Sequence, residues 1–176
     1  MFKIEEGEPF VMTKNKKMEK LEQFLIENQH AHYRLAYSYV KNKENALDIV
    51  QDSIFKALKS IHRLDEIKYL KTWFYRILVN TSIDFIRKHQ RMIVMDDGVL
   101  DGYLPQTEDE QTDIDLFDAL DTLTADEKSL IILRFFEDLK IEEVAAILDE
   151  NINTVKTKLY RTLKKLRIEI EKGDLE

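Results

Sequence analysis

"IEEVAAILDENINTVKTKLYRTLKKLR", residues 141–167, holds two amphipathic segments separated by a short polar break. In the first, Val144, Ile147 and Leu148 recur at helical spacing, and Ala145 is small enough for a second helix to cross closely. Asp149 and Glu150 form the break, and Asn151 is a suitable N-cap for the second segment. Winding that segment at about 100° per residue puts Ile152, Val155, Leu159, Leu163, Leu166 and Ile170 on one stripe. Opposite lie Asn153, Thr154, Thr157, Arg161, Lys164 and Lys165, with Lys156, Lys158 and Arg167 on the flanks. A short helix, a tight turn and a longer helix with an apolar back and a basic front predict a helix-turn-helix, whose second helix enters the DNA major groove. Asp149 occupies the position where this motif usually has a left-handed glycine, a conformation Asp tolerates better than most residues.

Residues 151–167 contain six Lys and Arg and no acid, although the whole chain carries a net charge of −7. Six phosphate contacts predict that log K falls against log[salt] with a slope of about −5. Asn153, Thr154 and Thr157 are short enough to touch base edges near the helix N-terminus, and Lys158 and Arg161 reach further.

Outward from this segment, the 176 residues include only four Gly and two Pro, and most windows repeat apolar residues at three and four, so the fold class is all-α. Charge divides the chain. Residues 15–92 hold fifteen Lys and Arg against nine Asp and Glu, whereas residues 92–127 hold twelve acids and no Lys or Arg. Gly98, Gly102 and Pro105 interrupt the acidic run, which reads as a flexible linker. The expected organisation is an N-terminal extension without assigned role (1–20), a helical domain (21–91), an acidic linker (92–113) and a second helical domain (114–172), with mobility between the two domains. Thr124 and Glu127 form a capping box opening the second domain, with Leu130, Ile131, Leu133 and Phe135 or Phe136 as its apolar surface.

In the first domain, "NALDIVQDSIFKALKSI" predicts a helix N-capped by Asn45, with Leu47, Val50, Ile54, Leu58 and Ile61 buried and Asp48, Gln51 and Asp52 among the exposed positions. In "YLKTWFYRILVNTSIDFIRKHQR", Phe74, Ile77, Leu78, Thr81 and Phe85 face a core, while Arg76, Asn80, Asp84 and Arg87 share another face. That second face, extended by Lys88 and Arg91, suits phosphate and base contact, and Trp73, Tyr75 and Tyr69 are candidates for stacking on unpaired bases.

Enzymatic chemistry finds little support. There is no glycine-rich phosphate loop, no Cys, and no His paired with an acid at motif spacing, so no catalytic residue, cofactor, metal or small-molecule substrate is expected. The N-terminus lacks a signal-like apolar stretch and no window approaches a membrane span, so the expected location is cytoplasmic.

These segments together resemble a known family, the extracytoplasmic-function (ECF) group of bacterial RNA polymerase sigma factors, and within it the SigV-type subgroup. "ALDIVQDSIFKAL" is similar to the group's polymerase-binding helix. "TWFYRILVNTSIDFIRK" matches its W-x-x-x-I-x-x-N-x-x-x-D-x-x-R pattern through Trp73, Ile77, Asn80, Asp84 and Arg87, and "EEVAAILDENINTVKTKLYRTLKKLR" resembles its −35 reader. The resemblance implies core RNA polymerase, promoter DNA and an anti-sigma factor, often membrane-bound, as partners. By position it implies polymerase contact through Asp48, Gln51 and Asp52, and −10 contact through Arg76, Asn80, Arg87 and Lys88. It also implies capture of an extruded base by the loop 60–67, and −35 contact through Asn153, Thr154, Lys156, Thr157, Lys158, Arg161, Lys164 and Lys165. The alternative is a free-standing helix-turn-helix regulator whose N-terminal half dimerises or senses a ligand; dependence on polymerase separates the two.

Overall fold

The computed structural model describes residues 14–95 and 120–173. The first segment folds into α1 (Lys14–Glu27), α2 (Gln29–Val40), α3 (Lys43–Ser60), two 3₁₀ turns (Ile61–Arg63 and Ile67–Tyr69) and the long α4 (Leu70–Met95). The second contains α5 (Ala125–Ile131), a π turn (Ile132–Phe136), α6 (Ile141–Leu148) and α7 (Ile152–Gly173). The acidic linker beyond residue 95 and the first residues of the second domain lie outside the described residues, as does the N-terminal extension before residue 14.

The first half closes around Phe74, Leu78 and Val79 of α4, against Leu35 and Ala36 of α2, Ala46, Ile49 and Ala57 of α3, and Leu21 of α1. The buried positions of α3 are Ala46, Ile49, Ser53 and Ala57. The expected stripe is thus rotated: Leu47 and Leu58 are exposed, because small side chains at 46, 53 and 57 let α3 approach its neighbours closely. The N-cap is likewise Asn42, whose side chain accepts from the Asn45 N–H at 2.9 Å, so Asn45 sits one turn inside the helix.

In the second half the expected helix-turn-helix is present. Thr124 and Glu127 form the reciprocal capping box. Asp149 takes the left-handed conformation (φ 56°) and the Glu150 N–H closes onto the Ala145 carbonyl at 3.0 Å, ending α6. Asn151 starts α7 by accepting from the Asn153 N–H at 2.8 Å. Ala145 and Val155 are both buried where α6 meets α7. The buried stripe of α7 is Val155, Thr162 and Leu166, flanked by half-buried Leu159, whereas Ile152 and Leu163 are exposed. A Thr displaces Leu163 because its hydroxyl bonds back to the Lys158 carbonyl at 2.8 Å, which leaves a small, satisfied group facing the core. Phe135 is exposed and Phe136 half-buried; Ile132 takes the core position instead.

Described residues of the two halves also pack against one another. Leu130, Ile132, Leu133, Leu139, Val144, Ala145 and Ile147 belong to the same buried cluster as Phe74, Leu78 and Val79, and α6 lies against α4. A smaller cluster of Leu120, Leu123, Ile131 and Leu166 stays within the second half.

Candidate nucleic-acid interface

On α7, Asn153, Thr154, Lys156, Thr157, Arg161 and Lys164 are all exposed, on the side away from Val155 and Leu166. The Thr157 hydroxyl donates to the Asn153 carbonyl at 2.9 Å, which anchors it to the helix surface. Lys158 and Lys165 differ from the rest. Lys158 pairs with Glu150 in the turn, and Lys165 reaches Glu127 Oε2 at 3.0 Å. Burial alone would raise the Glu127 carboxyl; the Thr124 backbone N–H and Lys165 outweigh it and hold the group below the usual carboxylate range. Two of the eight predicted −35 cations and polar groups therefore brace the helix-turn-helix. Sequence reasoning missed Tyr160, which is 79% exposed. Its signal was available: it stands four residues from both Lys156 and Lys164, on the same ridge.

On α4, Arg76, Asn80, Asp84, Arg87 and Lys88 are exposed, and the first four share the expected face. Asn80, Asp84 and Arg87 are solvent-exposed at the edge of a cleft. With Val79 and Ile83 they line this cleft of about 390 Å³, whose other wall is Asp126, Leu148 and Glu150 of the second half. Arg76 approaches Asp149 across the same seam at 3.6 Å. Of the stacking candidates, Tyr69 is exposed and Trp73 half-buried, but Tyr75 is fully buried and is corrected from base platform to core.

Glu137 explains the position of Tyr75. The π turn, closed by the Glu137 N–H on the Ile132 carbonyl at 3.0 Å, widens the helix end and turns this side chain toward the first half. Only 7% exposed, Glu137 accepts from Arg34 Nη2 at 2.9 Å and from the Tyr75 hydroxyl at 2.6 Å, while its backbone carbonyl accepts from Lys71 Nζ at 2.9 Å. Burial, then the bond to Glu137, pushes the Tyr75 phenol well above its ordinary range. A second seam joins Asp121 to Lys41 at 2.6 Å and to Lys128 at 3.3 Å. Burial opposes ionisation there, yet the two lysines hold the Asp121 carboxyl below its ordinary value.

On α3, Asp48, Gln51 and Asp52 are exposed, and Asp52 pairs with Lys56 at 2.8 Å. Leu47 and Phe55, 42% and 59% exposed, border them and make this face partly apolar. Among the described residues no helix is long and apolar enough to cross a membrane, and no cluster of His, Asp and Glu has metal-binding form.

The geometry defines two helical units, each presenting a polar and basic helix face of the kind that reads nucleic acid. Comparison with known proteins gives the class. Residues 25–92 match the family model for Sigma-70 region 2, and residues 114–166 the model for Sigma-70 region 4. The chain belongs to the ECF group of RNA polymerase sigma factors. Within that group it is similar to RNA polymerase sigma factor SigV of Bacillus subtilis, 52% identical over 86% of this chain and 91% of that protein. ECF RNA polymerase sigma factor SigX of the same organism is 31% identical over 88% of this chain and 86% of its own length. Among solved structures, the sigma factor RpoE in complex with the anti-sigma factor NepR, from Bartonella quintana, superposes with a TM-score of 0.74 at 27% identity, covering 87% of this chain and 98% of that one.

Proposed function

We propose that this sigma factor binds core RNA polymerase and directs promoter-specific initiation, with its two halves reading different promoter elements. The observation that carries the reading is the pairing of two unlike helix faces in one chain: the Arg76, Asn80 and Arg87 face of α4 and the Lys156, Arg161 and Lys164 face of α7. On α7, Asn153, Thr154 and Thr157 reach base edges of the −35 element, while Lys156, Arg161 and Lys164 neutralise phosphates; Tyr160 joins them. On α4, Arg76, Asn80, Arg87 and Lys88 meet the −10 element, and the loop 60–67 holds its extruded base. Asp48, Gln51 and Asp52 dock α3 on the polymerase clamp, supported by the exposed Leu47 and Phe55. The domain boundaries follow as 21–91 and 114–172, and the acidic linker 92–113 occupies a basic nucleic-acid channel of the polymerase.

The factor works in the cytoplasm, as an initiation factor rather than a catalyst. An anti-sigma protein is a further partner, as RpoE has in its solved complex. A free-standing regulator would leave the region 2 match and the α3 surface without a role. The second half stands across the cleft from Asn80 and Arg87 and narrows the approach of DNA to them, so isolated protein binds DNA weakly and polymerase widens that approach.

In-vitro transcription from a genomic fragment library, with core polymerase alone and with this protein added, tests the reading. Promoter-specific transcripts that require the protein are the expected result. Tight binding to a palindromic duplex without polymerase, and no gain in transcription, would overturn it.

A further inference from the structure

Residues 14–24 of α1 precede the stretch matched by the region 2 model, and sequence reasoning gives the segment before residue 21 no role. The structure shows what α1 touches. Its Leu21 is fully buried, Phe24 packs edge-on to Phe74 at 5.7 Å between ring centroids, and the helix lies along the 3₁₀ turn Ile61–Arg63. From this fixed position Lys17 extends its half-buried side chain so that Nζ donates to the Leu64 carbonyl at 2.6 Å, across 47 residues of sequence.

That carbonyl lies at the midpoint of the loop between α3 and α4. Leu64 is extended (φ −76°, ψ 112°) and succeeds the 3₁₀ turn, where no helix ladder supplies its oxygen with a donor. The loop is held from below by Ile61 and Leu64, both buried, and alternates them with exposed His62, Arg63, Asp65 and Glu66. At its far end Glu66 pairs with Lys68 at 2.7 Å, and Lys68 lies over the exposed Tyr69 ring at 4.9 Å. A chain with four exposed polar side chains in five residues presents them reproducibly only if its backbone is pinned. The two apolar anchors fix its depth; a charge-assisted bond to the central carbonyl fixes its rotation.

We propose that Lys17 is a positioning residue for promoter opening: α1 clamps the Leu64 carbonyl and so orients the polar rim His62, Arg63, Asp65, Glu66 toward the displaced non-template strand. This inference rests on the assignment of the loop 60–67 to the extruded −10 base. It gives the N-terminal helix a role in strand capture without direct contact to DNA.

The test uses holoenzyme assembled from core polymerase and the full chain, on a promoter recovered from the library experiment. Permanganate reactivity of −10 thymines reads opening, a footprint reads −35 occupancy, and fluorescence titration reads core affinity. Lys17→Met, which keeps the apolar stem and removes the donor, lowers opening about tenfold with unchanged −35 footprint and core affinity. Lys17→Arg restores it. Alanine substitution of His62, Arg63, Asp65 and Glu66 together is the companion variant. If that variant opens normally, the assignment of the loop to the extruded base fails, and this inference with it. If it is defective while Lys17→Met opens like the unaltered protein, the clamp alone is refuted. Loss of opening by Lys17→Met only in parallel with core affinity and thermal midpoint also refutes it, since that is a general loss of folding.

Discussion

Removing the Glu137 side chain tests the contact that holds the two halves together. Glu137→Ala deletes the acceptor for the Tyr75 hydroxyl at 2.6 Å and for Arg34 Nη2 at 2.9 Å, but spares the backbone carbonyl that Lys71 uses. Tyr75 is fully buried, so its bond to a carboxylate keeps the full worth of a charged hydrogen bond, about 1.5–3 kcal/mol. The Arg34 side chain is 37% exposed, so its share falls toward the surface range of about 0.2–1 kcal/mol. Together they give about 2–4 kcal/mol of contact between the halves, or at least about a 30-fold shift toward the separated state. Urea unfolding of the full chain, followed by its single tryptophan, measures the first quantity for Glu137→Ala, Tyr75→Phe and the double variant. The coupling between the two substitutions is expected at about 1.5 kcal/mol. Binding of a −10 promoter duplex without polymerase measures the second, because access of DNA to the α4 face grows with the fraction of open molecules. Glu137→Ala should therefore bind duplex more tightly than the unaltered chain. Additive substitutions together with unchanged DNA affinity would refute the view that Glu137 restrains access to the α4 face.

Single sites give further expected outcomes. His32 is buried between Phe24, Phe74 and Tyr75, and burial lowers its pKa from 6.5 to about 4 despite the opposing pull of Glu137. The unfolded chain then binds a proton that the folded one refuses, so stability is complete above pH 6.5 and falls by about 3 kcal/mol as pH drops toward 4; urea midpoints at pH 7 and 5 should converge in His32→Phe. Lys164→Ala should reduce the salt slope of holoenzyme binding to a −35 promoter by about 0.9, while Lys165→Ala, whose charge already faces Glu127, changes it less. Equal slopes in a salt titration would show Lys165 on phosphate. Asp149→Gly should stabilise the protein by about 0.5–1 kcal/mol because φ of 56° is free for glycine, and Asp149→Val should destabilise it, as thermal melts would read.

One physical cause underlies the differences between expected and observed buried faces. On α3 and α7 the helical period holds, but the buried face is rotated away from the most hydrophobic stripe. Ala46, Ser53, Ala57 and Thr162 are poor hydrophobic signals, yet they are buried since small or self-satisfied side chains permit close helix approach. The displaced Leu47, together with Phe55, then borders the exposed acids of α3, where exposure of apolar surface suits a docking face. Lys158 and Lys165 look like every other lysine of residues 151–167 until folding brings Glu150 and Glu127 beside them.

Local rules settled what is local: the all-α class, the capping box at Thr124, the left-handed Asp149, the turn between α6 and α7, and the basic helix beyond it. Each depends on residues within a few positions of one another, so spacing and side-chain chemistry suffice. Tertiary structure alone decided that Lys17 holds the Leu64 carbonyl, that Glu137 joins Arg34 and Tyr75, and that Asn80 and Arg87 face the second half. These partners are separated by tens of residues, and no periodicity encodes a contact whose existence depends on how whole helices pack.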